Sequence, residues 1–216
     1  MQQKGGYLVH INILAGGPVE LLPNLNEYKQ ENEVWVGVDR GVFTLINMNI
    51  TPQIAFGDFD SVSKQEFILI EENVENMNIF KPEKNETDME LALNWAIEQR
   101  PDLIRVFGAS GGRLDHFLAN VQLLVKPLLE QNNVKIFLID KQNIISLKGP
   151  GSYKIKKRAD KKYISFVPLT LSVKGLTLEG FKYPLKNRHI STGSTLCISN
   201  ELVGDYGTFS FSEGIL

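Results

Sequence analysis

Between residues 7 and 140, short β-branched and apolar runs alternate with longer stretches of helical spacing, and this rhythm limits the possible folds more than any other feature of the chain. The runs fall at 8–14, 34–38, 53–56, 77–80, 103–107 and 134–139. Such alternation predicts βα units that assemble into a mainly parallel sheet covered on both faces. After about Asn143 the helical period disappears. Short strand-like runs follow at 144–147, 163–167, 171–173, 176–178, 195–198 and 208–211, punctuated by Gly149-Pro150-Gly151 and Lys174-Gly175. The expected fold class is α/β: an N-terminal, mainly parallel α/β sandwich domain over residues 1–140, then a C-terminal antiparallel β-sandwich or barrel domain over 141–216. The basic run 154–162 joins two of the later strands and reads as a solvated tip, with a polyphosphate contact as the alternative.

A chain of 216 residues is long enough to bury a substantial core. With 23 Lys and Arg against 25 Asp and Glu, its net charge of -2 gives no footprint for nucleic acid or for a polybasic membrane contact. A small, specific ligand is the better expectation. The single cysteine, Cys197, excludes an internal disulfide framework and fits a reducing cytoplasm, and its apolar setting predicts a buried, inert thiol. No apolar stretch approaches the roughly 20 residues that span a bilayer.

Ligands of open α/β sheets bind beyond the carboxyl ends of the strands. In this chain the first predicted strand ends in Gly16-Gly17-Pro18, the second in Asp39-Arg40-Gly41 and the third in Gly57-Asp58-Phe59-Asp60. The fourth leads to Lys81 and then Thr87-Asp88, and the fifth to Gly108-Ala109-Ser110-Gly111-Gly112-Arg113. Glycines, carboxylates and arginines are thus delivered to one edge.

Asp58 and Asp60 are the sharpest of these features. Residues i and i+2 of an extended segment project to one side, so both carboxylates can face a common point while Phe59 turns toward the core. Two hard oxygen ligands suit Mg²⁺, which takes one or two carboxylates and completes its shell with water and phosphates. A solvated acidic turn is the competing reading of this pair. Thr87-Asp88-Met89-Glu90 matches a capping box with Thr87 as N-cap, which puts Asp88 in a first helical turn. There the carboxylate either compensates the helix dipole or serves a metal or phosphate site. The helix that follows has an apolar face at Met89, Ala92, Leu93, Ala96 and Ile97.

The glycine-rich segment 108–113 lies between a strand and a helix with apolar positions Leu114, Phe117, Leu118, Val121, Leu124 and Val125. Such a junction exposes backbone N–H groups to phosphate oxygens, and glycine lets the backbone come close. Neither this segment nor Gly16-Gly17 completes a Walker A or dinucleotide fingerprint. Arg113, Asp115 and His116 add a phosphate-pairing guanidinium, a possible metal ligand or base, and a hydrogen-bonding imidazole. His10 and His189 have no such company and read as structural or surface residues.

Taken in order, Gly57-Asp58-Phe59-Asp60-Ser61, Lys84 with Thr87-Asp88, and Gly111-Gly112-Arg113-Leu114-Asp115-His116 resemble the thiamine pyrophosphokinase family. The resemblance continues through Gly180-Phe181-Lys182-Tyr183-Pro184-Leu185 and the segment 193–201. It implies transfer of a pyrophosphoryl group from ATP to thiamine, giving thiamine diphosphate and AMP with Mg²⁺. It also implies a homodimer, with the vitamin held where the α/β domain of one subunit meets the β-domain of the other. By the same resemblance Asp58, Asp60 and Asp88 hold Mg²⁺, and Asp115 lies near the metal or faces the attacking hydroxyl. Gly16, Gly17, Asp39, Arg40, Gly108, Ser110, Arg113 and His116 form the nucleotide edge. Tyr183 supplies an aromatic platform for the vitamin, and Ser199 and Asn200 hydrogen-bond its polar edge. Asn85 stands where the family often has Asp, so one negative charge is missing there.

Other chemistries share parts of this pattern. A phosphatase with Asp58 as nucleophile, a nucleotide-sugar transferase and a non-catalytic nucleotide sensor each use some of these features. A phosphatase of that kind places its Asp-x-Asp after the first strand, whereas here the pair follows the third.

Overall fold

The computed structural model describes residues 10–60, 62–79 and 85–216, and the chain divides into two compact units, Met1–Ser146 and Leu147–Leu216. Leu8, Val9, Ser61 and Phe80 to Lys84, which include parts of two predicted strands and two motif residues, lie outside the described residues.

The first unit contains strands β1 (His10–Leu14), β2 (Glu33–Val38), β3 (Ile54–Gly57), β4 (Asn76–Ile79), β5 (Leu103–Phe107), β6 (Lys135–Ile139) and β7 (Ile144–Ile145). Its helices are α1 (Arg40–Asn47), α2 (Lys64–Asn73), α3 (Asp88–Glu98), α4 (Leu114–Leu123) and α5 (Val125–Leu129). The strands form one sheet in the order β4-β3-β2-β1-β5-β6-β7, parallel except for β7. Successive strands run outward from β1 to β4, and the chain then returns to the other side of β1 with β5. The connections therefore reverse direction between β1 and β5, which makes the carboxyl ends of those two strands the switch point where such sheets bind ligands.

Ile13, Leu14, Val36, Ile104 and Phe107 are fully shielded, as expected of central parallel strands covered on both faces. Trp35 stacks on Phe107 and Tyr28 meets it edge-on, with ring centroids 5.9 and 4.9 Å away. Buried Asn12 on β1 donates to Glu33 at 3.0 Å and accepts from Arg105 at 3.2 Å, so its burial leaves both ends of the amide satisfied.

The second unit holds β8 (Gly151–Lys156), β9 (Ser172–Glu179), β10 (Leu185–Ser191) and β11 (Tyr206–Phe211) in an antiparallel sheet of order β10-β9-β11-β8. Its core gathers Phe166, Leu176, Leu178, Phe181 and Phe209.

Several expected elements differ. The run 144–147 shrinks to β7, which pairs antiparallel with β6 in the first sheet rather than opening the second. The runs 171–173 and 176–178 are one strand, because Gly175 at φ 73° bends the chain without ending it. The run 163–167 makes the Ile164–Asn200 bridge and a Phe166 N to Cys197 O bond at 3.1 Å without forming a strand, and 195–198 forms turns. Phe166 and Cys197 in those runs are apolar because they fill the core, not because they belong to a ladder. The basic run 154–162 begins inside β8 instead of forming a tip from its first residue. The expected apolar face of α4 divides: Leu114 at 76% and Leu118 at 58% exposure point outward, Phe117, Val121 and Val125 are half-buried, and Leu124 is buried, as is the polar Asn120. Asn120 donates to the Ala109 carbonyl at 3.1 Å, tying α4 to the loop after β5. Among the described residues no helix is long and apolar enough to cross a membrane.

Candidate active site

The loops after β1 and β5 meet at the switch point through their backbones. Gly17 N donates to Gly108 O at 2.8 Å, and a Cβ at Gly17 would run into that carbonyl. Gly108 adopts φ 64°, a conformation that glycine enters without strain. Gly16 is exposed beside them and packs near Arg40. Ala15 N donates to Phe107 O at 2.9 Å, extending the β1–β5 contact into the loops.

Asp39 precedes α1 at φ 49° and ψ −126°, a strained conformation for a residue with a side chain. Its amide donates to Phe56 O at 2.8 Å, and its carboxylate lies against Gly57, where a Cβ would strike it. The half-buried Asp39 is thereby locked beside the end of β3. Arg40 opens α1, is exposed, and pairs with Glu66 at 3.6 Å. Glu66 closes a reciprocal capping box with Ser63 at the start of α2, and the Ser63 amide keeps its carboxyl below the usual range.

β3 stops at Gly57, and Phe59 takes φ 57°, so the Asp58–Asp60 segment is a turn and not the extended strand end expected from the sequence. Asp58 Oδ1 accepts the Asp60 amide at 3.1 Å. Phe59 is buried against Phe67, as anticipated, leaving Asp58 half-buried and Asp60 exposed. Asp88 is the first residue of α3, behind Thr87, whose hydroxyl accepts the Glu90 amide at 3.2 Å. Among the described residues no three His, Cys, Asp or Glu side chains gather tightly enough to cage a metal ion. The donor chemistry nevertheless fits Mg²⁺, since that ion needs only one or two carboxylates when phosphates complete its shell.

On the glycine-rich side, Arg113 Nε and Nη2 donate to Asp115 at 3.2 and 2.7 Å, and the His116 amide adds a bond at 3.0 Å. The Arg113 guanidinium holds the Asp115 carboxyl below the usual range, and Asp115 in turn raises Arg113. Asp115 is therefore a weak base for as long as the pair persists. Arg113, Asp115 and His116 are all exposed.

In the second unit Tyr183 is exposed, with Lys182 Nζ 5.6 Å from its ring centroid. Ser199 is exposed at φ 57°, and its amide donates to Ser165 Oγ at 3.0 Å. Asn200 differs from expectation. It is buried, its Oδ1 accepts the amides of Tyr183 at 3.0 Å and Glu201 at 2.9 Å, and its Nδ2 donates to Tyr183 O at 2.8 Å. Both ends of its amide are committed to the backbone.

The family model described as "Thiamin pyrophosphokinase, catalytic domain" matches residues 25–138, and "Thiamin pyrophosphokinase, vitamin B1 binding domain" matches 152–216. The chain belongs to the thiamin pyrophosphokinase family. The thiamine pyrophosphokinase of Bacillus subtilis (strain 168) is 53% identical over 206 residues, covering 95% of each chain. A crystal structure of thiamine pyrophosphokinase from Bacillus subtilis superposes with a TM-score of 0.90 at 53% identity, again over 95% of each chain. Yeast thiamin pyrophosphokinase has a TM-score of 0.78 at 15% identity, covering 98% of this chain and 85% of its own, so the likeness there is one of fold.

Within this thiamin pyrophosphokinase framework, three residues at the edge escaped the sequence reading. Glu66 pairs with Arg40, Asn120 holds Ala109, and Asp140 accepts the Ser110 hydroxyl at 2.7 Å. Asp140 follows β6 directly, so the strand-end rule that found Asp39 and Asp58 would have found it too.

Proposed function

We propose that this chain transfers a pyrophosphoryl group from ATP to the hydroxyl of thiamine, releasing AMP and thiamine diphosphate in a Mg²⁺-dependent reaction. The observation that carries the reading is the switch point itself. Glycine-lined loops after β1 and β5 interlock there, on the edge that also receives the Asp58–Asp60 turn. Family membership over both units supplies the substrates.

In this reading residues 1–140 bind ATP and residues 141–216 bind the vitamin and mediate dimerisation. Asp58, Asp60 and Asp88 would hold Mg²⁺, which when bound neutralises charge on the phosphates. Backbone N–H groups of the glycine-rich loops and the guanidiniums of Arg40 and Arg113 receive phosphate oxygens. Asp39 and His116 complete the nucleotide edge. Such positioning supplies most of the catalysis, since attack by the thiamine hydroxyl on the β-phosphorus needs no covalent nucleophile on the protein. Asp115 takes the hydroxyl proton only after Arg113 has turned to the phosphates and released it. Tyr183 offers its ring face to the cationic thiazolium, and Ser199 offers a hydroxyl beside it. The reaction takes place in the cytoplasm, in agreement with the lone, unpaired Cys197.

Incubation with ATP, Mg²⁺ and thiamine gives AMP and thiamine diphosphate in equal amounts. ADP as product would mean simple phosphorylation, and tight ATP binding without turnover would mean a sensor. Asp60→Asn lowers kcat by orders of magnitude while the melting temperature stays near that of the parent, because Asp60 is an exposed turn residue. Full activity in that variant would remove Asp60 from the metal set. Light scattering reads twice the chain mass if the homodimer is correct.

A further inference from the structure

Three loops of the first unit are tied together by an acid that the reaction itself does not use. Asp140, buried just beyond β6, accepts the Ser110 hydroxyl through Oδ2 at 2.7 Å. Its Oδ1 accepts the amides of Gln142 and Asn143 at 2.7 and 2.6 Å, and Asn143 Nδ2 bonds the two oxygens at 3.1 and 3.2 Å. Lys141 N donates to Leu21 O at 2.7 Å, and Gly111, at φ 80°, packs so closely on the Leu21 side chain that a Cβ would not fit. The segments after β1, β5 and β6 therefore support one another.

Burial pushes the Asp140 pKa up, but the bonds from Ser110, Asn143 and Gln142 outweigh it and hold the carboxyl below its ordinary range. An ionised carboxylate has no proton to give, so the direction of the contact is fixed: Ser110 donates and Asp140 accepts. A serine hydroxyl has only one proton. With that proton on Asp140, the hydroxyl cannot also donate to a phosphate oxygen, and what Ser110 offers an anion is its backbone N–H.

We propose that Asp140 is a positioning residue for the nucleotide loop, anchoring Ser110 by its hydroxyl so that the backbone of residues 110–112 is held ready for the phosphates. Ser110 is thus an anchor rather than a side-chain ligand. The inference rests on the reading that ATP phosphates occupy this loop.

The test is a double-mutant cycle on the full-length chain, with MgATP affinity measured by calorimetry beside the KM values for ATP and thiamine. In Asp140→Asn the Oδ1 contacts to the turn persist, while the charge-assisted bond from Ser110 gives way to a weaker N–H contact onto its hydroxyl oxygen. Asp140→Asn and Ser110→Ala each weaken MgATP binding by about tenfold, the scale of one hydrogen bond to a charged group. The thiamine KM is unchanged, the double variant is no weaker than the poorer single one, and Ser110→Thr restores affinity. Parental MgATP affinity in folded Asp140→Asn overturns the inference, and so do losses that multiply in the double variant. Loss of affinity in Ser110→Ala alone overturns it as well, because the hydroxyl would then touch the nucleotide directly. A fall in melting temperature with both KM values intact reduces Asp140 to a structural role. Failure of the functional reading appears separately, as MgATP binding by the parent without formation of thiamine diphosphate.

Discussion

At Asn200 both ends of one side-chain amide are committed to the backbone of Tyr183, with Oδ1 on its N–H and Nδ2 on its C=O. Nothing in the motif Ser199-Asn200-Glu201 tells which way the amide points, so the family resemblance suggests a vitamin ligand where the structure shows a clamp on the backbone of Tyr183, the residue proposed to meet the vitamin. Asn200→Ala leaves those part-buried backbone groups without their partner, at about 1 kcal/mol. It should lower the melting temperature and raise the KM for thiamine while the KM for ATP holds. In the proposed role Tyr183 acts through its ring face, so Tyr183→Phe should stay close to the parent, whereas Tyr183→Ala should raise the thiamine KM by about tenfold, as loss of a partly desolvated cation–π contact implies. Asp140 has a pH signature as well. Its carboxyl is held below the ordinary range in the fold, so its contribution to stability is complete above the unfolded value of about 3.9 and disappears as pH falls through the lower folded value. Urea unfolding followed from neutral to acidic pH should show a flatter acid limb in Asp140→Asn than in the parent.

Among the elements, the parallel strands were legible because burial on both faces demands mostly apolar runs, and Ile13-Leu14, Val34 to Val38 and Val106-Phe107 read that way, although Asn12 and Arg105 interrupt β1 and β5 and bond each other. The strand ends followed from them, and with them most of the candidate site. β8 and β10 were hidden because they lie half in water: Lys154, Lys156, Lys186, Arg188 and His189 dilute the apolar signal to isolated positions such as Ile155 and Ile190. The turn at Phe59 was missed because a positive φ at an aromatic residue has no sequence signal. The start of α3 was readable, since Thr87 and Glu90 have the spacing of a cap, and Thr87 does accept the Glu90 amide. Thr87→Ala should cost about 1 kcal/mol, seen as a fall in melting temperature of roughly 2–4 °C for a chain of this size. Because Asp88 opens the same helix, kcat should fall in that variant by more than the stability loss explains. Gly17→Ala is a stronger test of the loop contact. A methyl there meets the Gly108 carbonyl, so the β1 and β5 loops must separate and the KM for ATP must rise. An unchanged KM would show that the loops do not need their close approach.

At the scale of the whole molecule, each unit has a hydrophobic core of its own. Leu14, Trp35, Leu45 and Phe107 centre one, and Phe166, Leu176, Phe181 and Cys197 belong to the other. The second core contains the chain's only thiol, which makes it a natural reporter on the unit proposed to hold the vitamin. Burial raises the Cys197 pKa and shields the sulfur, so the native thiol should be inert toward an aromatic disulfide reagent and react only when the unit opens. A ligand that binds the closed form suppresses opening by RT ln(1 + [L]/Kd), about 2.7 kcal/mol at a concentration of 100 Kd. Thiamine at that excess should therefore slow modification of Cys197 by about a hundredfold. The slowing must follow the same saturation curve as thiamine binding. It must also weaken in Asn200→Ala, where the Tyr183 backbone has lost its clamp, so that protection needs more vitamin. A Cys197 rate indifferent to thiamine at saturation would place the vitamin's binding energy outside the second unit, and Tyr183 and Ser199 would lose their assigned roles with it.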